Sequence, residues 1–503
     1  MARTTGNASD LITFSRASSG TALTKVAYGS ELVTNGTFDA DSDWNKSTNW
    51  VISGGVASND GTSGFVSLSQ DIGVEENTTY EVTFTVVSGT IYAVRLGGFT
   101  SAHQVGSLGY IAGTYTFLKT APAGSNSVLY IASNNSAGSI DNISVREVFY
   151  NDPTGTLKLI SHPTNKPRVE YDANGVAKGL LIEEARTNLI PDSEDLTAAS
   201  WAGKTQHTGQ ANAAISPAGT QTATRITSTG TDPYLFHFTP VTAGNDYVLT
   251  VWLRGIGNTV GRTPRVWFLN NSGTISSTFD STPLTDSWQK YTVTGSCTGS
   301  GTVLTRIDFD DSGLSAPGEQ VDVWGAQVEQ GSFPTSYIPT SGAAATRSAD
   351  VASVSVSEFG YNQAQGTVVV EANPILSGSP IGLQGIVEFN NGTTNDQITI
   401  INENNDRLRI IIDPTSAAND VDFTISGAEG SEKYAAAWAT NDVQAAHGGL
   451  LGAGDTSSNP PATITTLTIG NDAGSSIPLN GHIKSLNYYP LRLSDAKLQE
   501  LTS

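Results

Sequence analysis

The segment TYEVTFTVV, residues 79–87, alternates cleanly, with Tyr80, Val82, Phe84 and Val86 on one side and Glu81, Thr83 and Thr85 on the other. A period of two is the signature of a strand with one buried face in an antiparallel sheet. Short runs of the same kind recur down the chain: DYVLTVWLRG (246–255), GTVVVEAN (366–373), DQITIIN (396–402) and YAAAWAT (434–440), each bounded by Gly, Asn, Asp, Ser or Pro. Those residues terminate strands because they tolerate the backbone angles of turns. One helix is predicted, after Ser494, a good N-cap for a segment from Asp495 to about Leu501. The pattern predicts an all-β chain of three β-sandwiches with one short C-terminal helix.

Two stretches repeat one plan. ELVTNGTFDADSDW (31–44) is answered by NLIPDSEDLTAASW (188–201), TYEVTFTVVSG by DYVLTVWLRG, GTYTFLKT (113–120) by SWQKYTVTG (287–295), and IDNISVREV (140–148) by VDVWGAQVE (321–329). Four matches in one order imply an internal duplication, and a repeat this long implies separate sandwiches rather than a solenoid. The expected units are an N-terminal strand and linker over 1–30, a first sandwich over 31–148, a connecting module over 149–190, a second sandwich over 191–340 and a third over 341–503. The first is read as an insertion into the N-terminal module. Trp44 answers Trp201, which favours a shared structural role, and Trp288 and Trp324 sit at repeated strand positions and read as core.

Composition narrows the function classes. The 503 residues carry 26 Lys and Arg against 47 Asp and Glu, a net charge of −21 that opposes phosphate backbones and anionic lipid surfaces. Neither nucleic acid nor membrane is an expected partner. Cys297 is the lone cysteine, so packing rather than an intrachain disulfide must hold the fold. The N-terminal MARTTGNASDL lacks the apolar core of a leader, and no stretch approaches the ~18 apolar residues of a spanning helix.

Three further stretches carry a resemblance: FSRAS (14–18), PRVEY (167–171) and GLLIEEARTNL (179–189). They resemble a module of tailed-bacteriophage structural proteins in which these elements precede a carbohydrate-module-like β-sandwich. Here about 150 residues separate the first element from the second, which implies an inserted domain. The duplicated units resemble carbohydrate-binding modules of the jelly-roll type, and the C-terminal region, ending NYYPLRLSDAKLQEL, resembles concanavalin-like (laminin G-like) domains. The resemblance implies a virion-surface protein, a tail-fibre, tail-tip or head-fibre component, that attaches without catalysis to host surface polysaccharide beside other virion proteins. A homo-oligomer is expected, a trimer by guess. An architectural protein that binds no glycan and a polysaccharide depolymerase are the rival readings.

Sugar recognition needs flat apolar faces for C–H groups and polar groups for hydroxyls. Tyr247, Leu249, Val251 and Leu253 align with the buried face of the first copy, so Trp252 points the other way with Arg254. Trp267, alternating with Val266 and Phe268, would share that outer face, making Trp252, Trp267 and Arg254 a candidate glycan platform. The competing reading packs both indoles under a loop or a neighbouring domain. No cofactor is required, but jelly rolls of the resembled type often hold a structural Ca²⁺, and the matching positions are Asp39 with Asp141 and Asp195 with Asp322. Catalysis has little support: six scattered histidines form no metal-ligand pair, and Glu183 and Glu184, adjacent on a strand, point to opposite faces. One of them is expected to pair with Arg186 or Arg168 instead.

Overall fold

A computed structural model describes residues 12–269, 274–309, 316–374, 383–393, 396–403, 407–413, 433–461 and 463–503. The chain is all-β, every strand pairing antiparallel, and among the described residues the single α-helix is Asp495–Thr502. Its Leu498 is buried against Val369, Ala435, Ala437 and Ala446.

Both copies of the duplicated unit pair their strands in the same order. In the first, one sheet runs Asn45–Lys46, Phe65–Asp71, Val128–Asn134, Ala93–Leu96, and the second copy answers with Ala202–Thr205, Tyr234–Val241, Gly301–Asp308, Arg265–Leu269. In the facing sheets, Val56–Asp60, Ala137–Tyr150, Thr79–Gly89 and Gly113–Thr120 correspond to Ala223–Ser228, Gln320–Gln330, Asp246–Ile256 and Gln289–Cys297. Local devices recur too. Trp44 Nε1 donates to Asn35 O at 3.0 Å and Trp201 Nε1 to Asp192 O at 2.8 Å, nine residues upstream in each copy. Tyr80 Oη accepts from Glu75 N at 2.8 Å and Tyr247 Oη from Thr242 N at 3.0 Å, five residues upstream in each. These indoles and phenols satisfy buried polar atoms with the backbone of their own loop, which fixes the entry into each sandwich.

A third shared device corrects the alignment. Asn142 (φ 52°) and Gly325 (φ 68°) each sit at a bulge within the pairing of their strand with Thr79–Gly89 or Asp246–Ile256. Asp141 stands opposite Thr85 and Trp324 opposite Trp252, so Asp141 corresponds to Trp324 and not to Asp322. The bulge, common to both copies, is the landmark that shows the match of the two aspartates to be two residues out of register.

The third sandwich is assembled from distant pieces. Thr13–Ser15 pairs with Val351–Ser355 on the edge of one sheet. Val169–Tyr171 and Ala177–Ile182 form a hairpin that joins the facing sheet through Gly481–Tyr489. Phe14, Ile182, Val354, Val370, Phe389, Trp438 and Ile483 share its core. Segments that read as a linker and a connecting module are therefore strands: Gly20–Tyr28, nine residues long, pairs with Thr156–His162 and with the far end of Ala137–Tyr150.

The three quoted motifs meet at a buried ion cluster. Asp350 binds Arg16 Nη1 at 3.0 Å and Arg168 Nη2, while Glu183 Oε2 binds Arg168 Nη1 at 2.8 Å and Arg347 Nη2 at 3.5 Å. All five side chains are at most 3% exposed. Backbone groups add further bonds: Arg16 donates to Ser18 O and Pro163 O, Arg168 to Thr21 O, and Glu183 accepts from Ser336 N at 2.7 Å. Burial alone would raise the Glu183 carboxyl, but Arg347, Arg168 and the Ser336 bonds more than reverse it, to about 2. The expected pairing of the glutamates holds for both, since Glu184 binds Arg186.

Candidate functional site

The two tryptophans proposed as one platform lie on different sheets. Trp252 belongs to Asp246–Ile256 and Trp267 to Arg265–Leu269, strands of facing sheets. Val251, Leu253, Val266 and Phe268 all point into the shared core, so the two indoles point outward on opposite sides of the sandwich. Face-to-face sheets stand roughly 10 Å apart, and no single ligand surface includes both rings. Trp252 is half-buried in a satellite cluster with Trp324, Tyr337, Trp288 and Leu159, the last from the connecting segment. Trp288 and Trp324, expected in the core, belong to this outer cluster. The packing reading holds for Trp252.

Arg254 serves structure as well. Its Nη2 lies 2.6 Å from Asp322 Oδ2, and its guanidinium stands 4.9 Å above the Trp288 ring. Asp322, fully buried, also binds Arg225 Nε at 2.8 Å and Nη2 at 3.1 Å. Both carboxylate oxygens are committed to guanidiniums, so Asp322 does not fit a calcium ion, which takes six to eight oxygen ligands. Asp195 accepts from Thr197 N and Oγ1, Asp39 from Thr37 Oγ1, and Asp141 from Asn142 N and Nδ2. Among the described residues no three His, Cys, Asp or Glu side chains converge on a metal position.

Trp267 stands on a different surface. The sheet that carries it puts rings and guanidiniums side by side on its outer face. Register aligns Phe236, Arg306, Trp267 and Phe279 in one row across four strands. Adjacent rows hold Tyr234, Asp308 and Arg265, then Phe238, Leu304 and Leu269. The Tyr234 and Phe236 rings stack at 6.2 Å and 17°, and Phe238 meets Phe236 edge-on at 5.1 Å. Arg306 Cζ sits 4.0 Å over Tyr234 and Nη2 binds Asp308 at 2.8 Å, while Arg265 Cζ stands 5.2 Å from Trp267 and 4.9 Å from Phe279. Phe238 and Phe279 are each 54% exposed. Gly203 (φ 72°) makes room at the edge, since a Cβ there would lie 2.5 Å from the Phe236 ring.

The strand Tyr234–Val241 is inverted with respect to hydrophobicity. Leu235, His237, Thr239 and Val241 face the core, while Tyr234, Phe236 and Phe238 face out. Burying the polar members is made tolerable by a chain in which Thr239 Oγ1 lies 2.6 Å from Thr305 Oγ1 and 3.1 Å from His237 Nδ1. Burial lowers the His237 pKa, disfavouring the charged ring under the platform. The alternation YLFHF was visible in the sequence, but the polarity rule assigns its aromatic side to the core.

No protein-family model and no curated protein matches this chain. Among solved structures it is similar to the N-terminal CBM22-1-CBM22-2 tandem domain of Xyn10C from Paenibacillus barcinonensis, at 12% identity and TM-score 0.20 over 60% of this chain and 98% of that one. It is also similar to an anti-sigma factor domain-containing protein, at 7% identity and TM-score 0.15 over 64% of this chain and 99% of that one.

Proposed function

We propose that the chain attaches to polysaccharide, without catalysis, through the aromatic outer face of the second sandwich. The observation that carries this reading is the inverted strand. Exposing Phe236 and Phe238 while burying His237 and Thr239 costs stability, and a surface built at that cost suits a ligand with flat apolar faces and a rim of hydroxyls. Stacked rings would take the C–H faces of sugar rings, and Arg306, Arg265 and Asp308 would hydrogen-bond the hydroxyls. The motif resemblance supports the wider setting: a virion-surface component of a tailed phage, homo-oligomeric, bound to host surface polysaccharide.

The test is retention of the purified chain on immobilised surface polysaccharide from candidate host bacteria, with polymer size read in the same sample. Retention that falls at least tenfold in Phe238→Ala and Trp267→Ala, with polymer length unchanged, is expected. Shortened polymer would replace attachment by depolymerisation, and unchanged retention in both variants would remove the platform.

A further inference from the structure

The sheet of the first sandwich that corresponds to the platform carries its own exposed aromatic cluster. Register places Phe65 opposite Asn134 and Tyr130 between Ser69 and Arg95; since Asn45 faces Ser69 as Ala202 faces Phe236, Tyr130 and Arg95 take the positions that Arg306 and Trp267 occupy in the second copy. On the same outer surface the Phe99 ring lies 3.9 Å from Tyr130, Phe65 stands edge-on to Phe99 at 6.0 Å and to Tyr92 at 6.2 Å, and Arg95 Cζ sits 5.2 Å from the Phe65 ring. Phe65 and Phe99 are 47% and 46% exposed. The loop that turns Phe99 back onto the sheet depends on Gly97 (φ 81°), where a Cβ would meet Ser125 at 2.6 Å. Polar groups ring the cluster: Arg95 donates to Phe99 O and to Gln104 Oε1 at 3.3 Å, and Asn126 Nδ2 donates to Tyr130 Oη at 3.0 Å.

Conventional packing does not require these rings, because Val66, Leu68, Leu129, Ile131, Val94 and Leu96 already fill the inner face of the same strands. The two copies keep the position of the aromatic surface and change the rings that build it. In the second copy they form a row across the sheet; in the first they gather towards one corner.

We infer that the first sandwich is a second glycan-binding site, so that one chain holds an uncharged polysaccharide at two places. The inference rests on the glycan reading of the second sandwich. Charge selects the ligand class. Arg306 is paired with Asp308, Arg265 lies over the Trp267 and Phe279 rings, Arg95 is bonded to a carbonyl and an amide, and the chain as a whole carries −21, which repels polyanions. Two tethered sites gain effective concentration, so overall avidity exceeds either single affinity by roughly 10²–10⁴.

The experiment uses the full chain with Phe65→Ala/Phe99→Ala, with Phe238→Ala/Trp267→Ala, and with all four changes, on immobilised neutral polymers (dextran, xylan, galactomannan) and on polygalacturonate and hyaluronate. Phe65, Phe99 and Phe238 are about half exposed and Trp267 is partly buried, so thermal melts check that each variant folds. At least a tenfold loss of retention on one neutral polymer is expected from either pair, with complete loss from all four and little retention on the acidic polymers. Loss from the second-sandwich pair alone, with the first-sandwich pair indistinguishable from the parent, overturns the second site and leaves the glycan reading intact. Stronger retention on the acidic polymers overturns the ligand class. Failure of the parent chain to bind any polymer overturns both readings.

Discussion

Asp350→Asn tests the buried ion cluster most directly. The cluster holds three guanidiniums and two carboxylates, and the change leaves Arg16, Arg168 and Arg347 facing Glu183 alone. Asparagine keeps the shape and one acceptor, so the loss is of charge rather than volume. Removing one partner of a buried pair costs about 3–5 kcal/mol, because the remaining charge stays desolvated. Against a domain stability of about 5–15 kcal/mol this is a large fraction, and at a urea slope of about 2 kcal/mol/M it moves the midpoint by about 2 M. Three separate cores make a single global transition a poor reporter, so the readout is hydrogen exchange in urea, followed at Ala177–Ile182 and Gly481–Tyr489, which pair next to the cluster. A double-mutant cycle supplies the internal control. In an Arg16→Met background Asp350→Asn removes a carboxylate from a cluster that has already lost a cation, and its cost should fall by at least 1 kcal/mol. A single-variant cost below about 1 kcal/mol, or an equal cost in both backgrounds, would refute the account of a mutually dependent ion cluster.

The same cluster predicts acid sensitivity. His162, fully buried beside Tyr150, is pushed down to about 3 by burial and by Arg168 and Arg16, so between pH 6.5 and 3 the unfolded chain binds a proton that the folded chain refuses. Stability should fall by up to ~1.4 kcal/mol per pH unit through that window, with Glu183 adding a loss from pH 4.5 to about 2; urea midpoints at pH 7, 5.5 and 4 that coincide would contradict this. Trp252→Ala should destabilise the second sandwich by about 2–3 kcal/mol and leave glycan retention unchanged, the reverse of Phe238→Ala, with melting and affinity gels read in parallel. Asp322→Asn strands Arg225 and Arg254, both partly exposed, and should lower stability by about 2 kcal/mol equally in calcium and in chelator; a cost seen only with calcium present would restore a metal at that position.

Strand content and the duplication were legible in the sequence because alternation such as Tyr80, Val82, Phe84, Val86 is imposed directly by the pleat. An ion pair for one of Glu183 and Glu184 was legible from the neighbouring Arg168 and Arg186; that both pair, just past the strand that ends at Ile182, was not. Asp350 was not, since nothing local in TRSAD marks a residue that meets Arg16 across 334 positions. The platform was hidden by its inversion: a period of two says that Phe236 and His237 face opposite ways, and only the flanking Leu235 and Val241 say which way is in. Trp252 and Trp267 could not be assigned to a common face without knowing that their strands belong to facing sheets. The Asp141 and Asp322 equivalence failed because matching by residue type set together two aspartates that stand two residues out of register, which only the shared bulge at Asn142 and Gly325 reveals.

The edge pairing of Phe14 with Ala352 sets a timetable for biosynthesis. At roughly 5–20 residues per second, a ribosome that has made Phe14 needs on the order of 17–70 s to make its partner. The first two sandwiches are complete in sequence before then and can fold while translation continues, whereas Thr13–Ser15 waits as an unpaired edge for Val351–Ser355, and the hairpin ending at Ile182 waits longer, for Gly481–Tyr489. During that interval Arg16, later sealed beside Asp350, is a solvated charge next to the waiting strand. A charge in that place discourages pairing with the wrong edge, so the residue that locks the finished third sandwich also guards its nascent form.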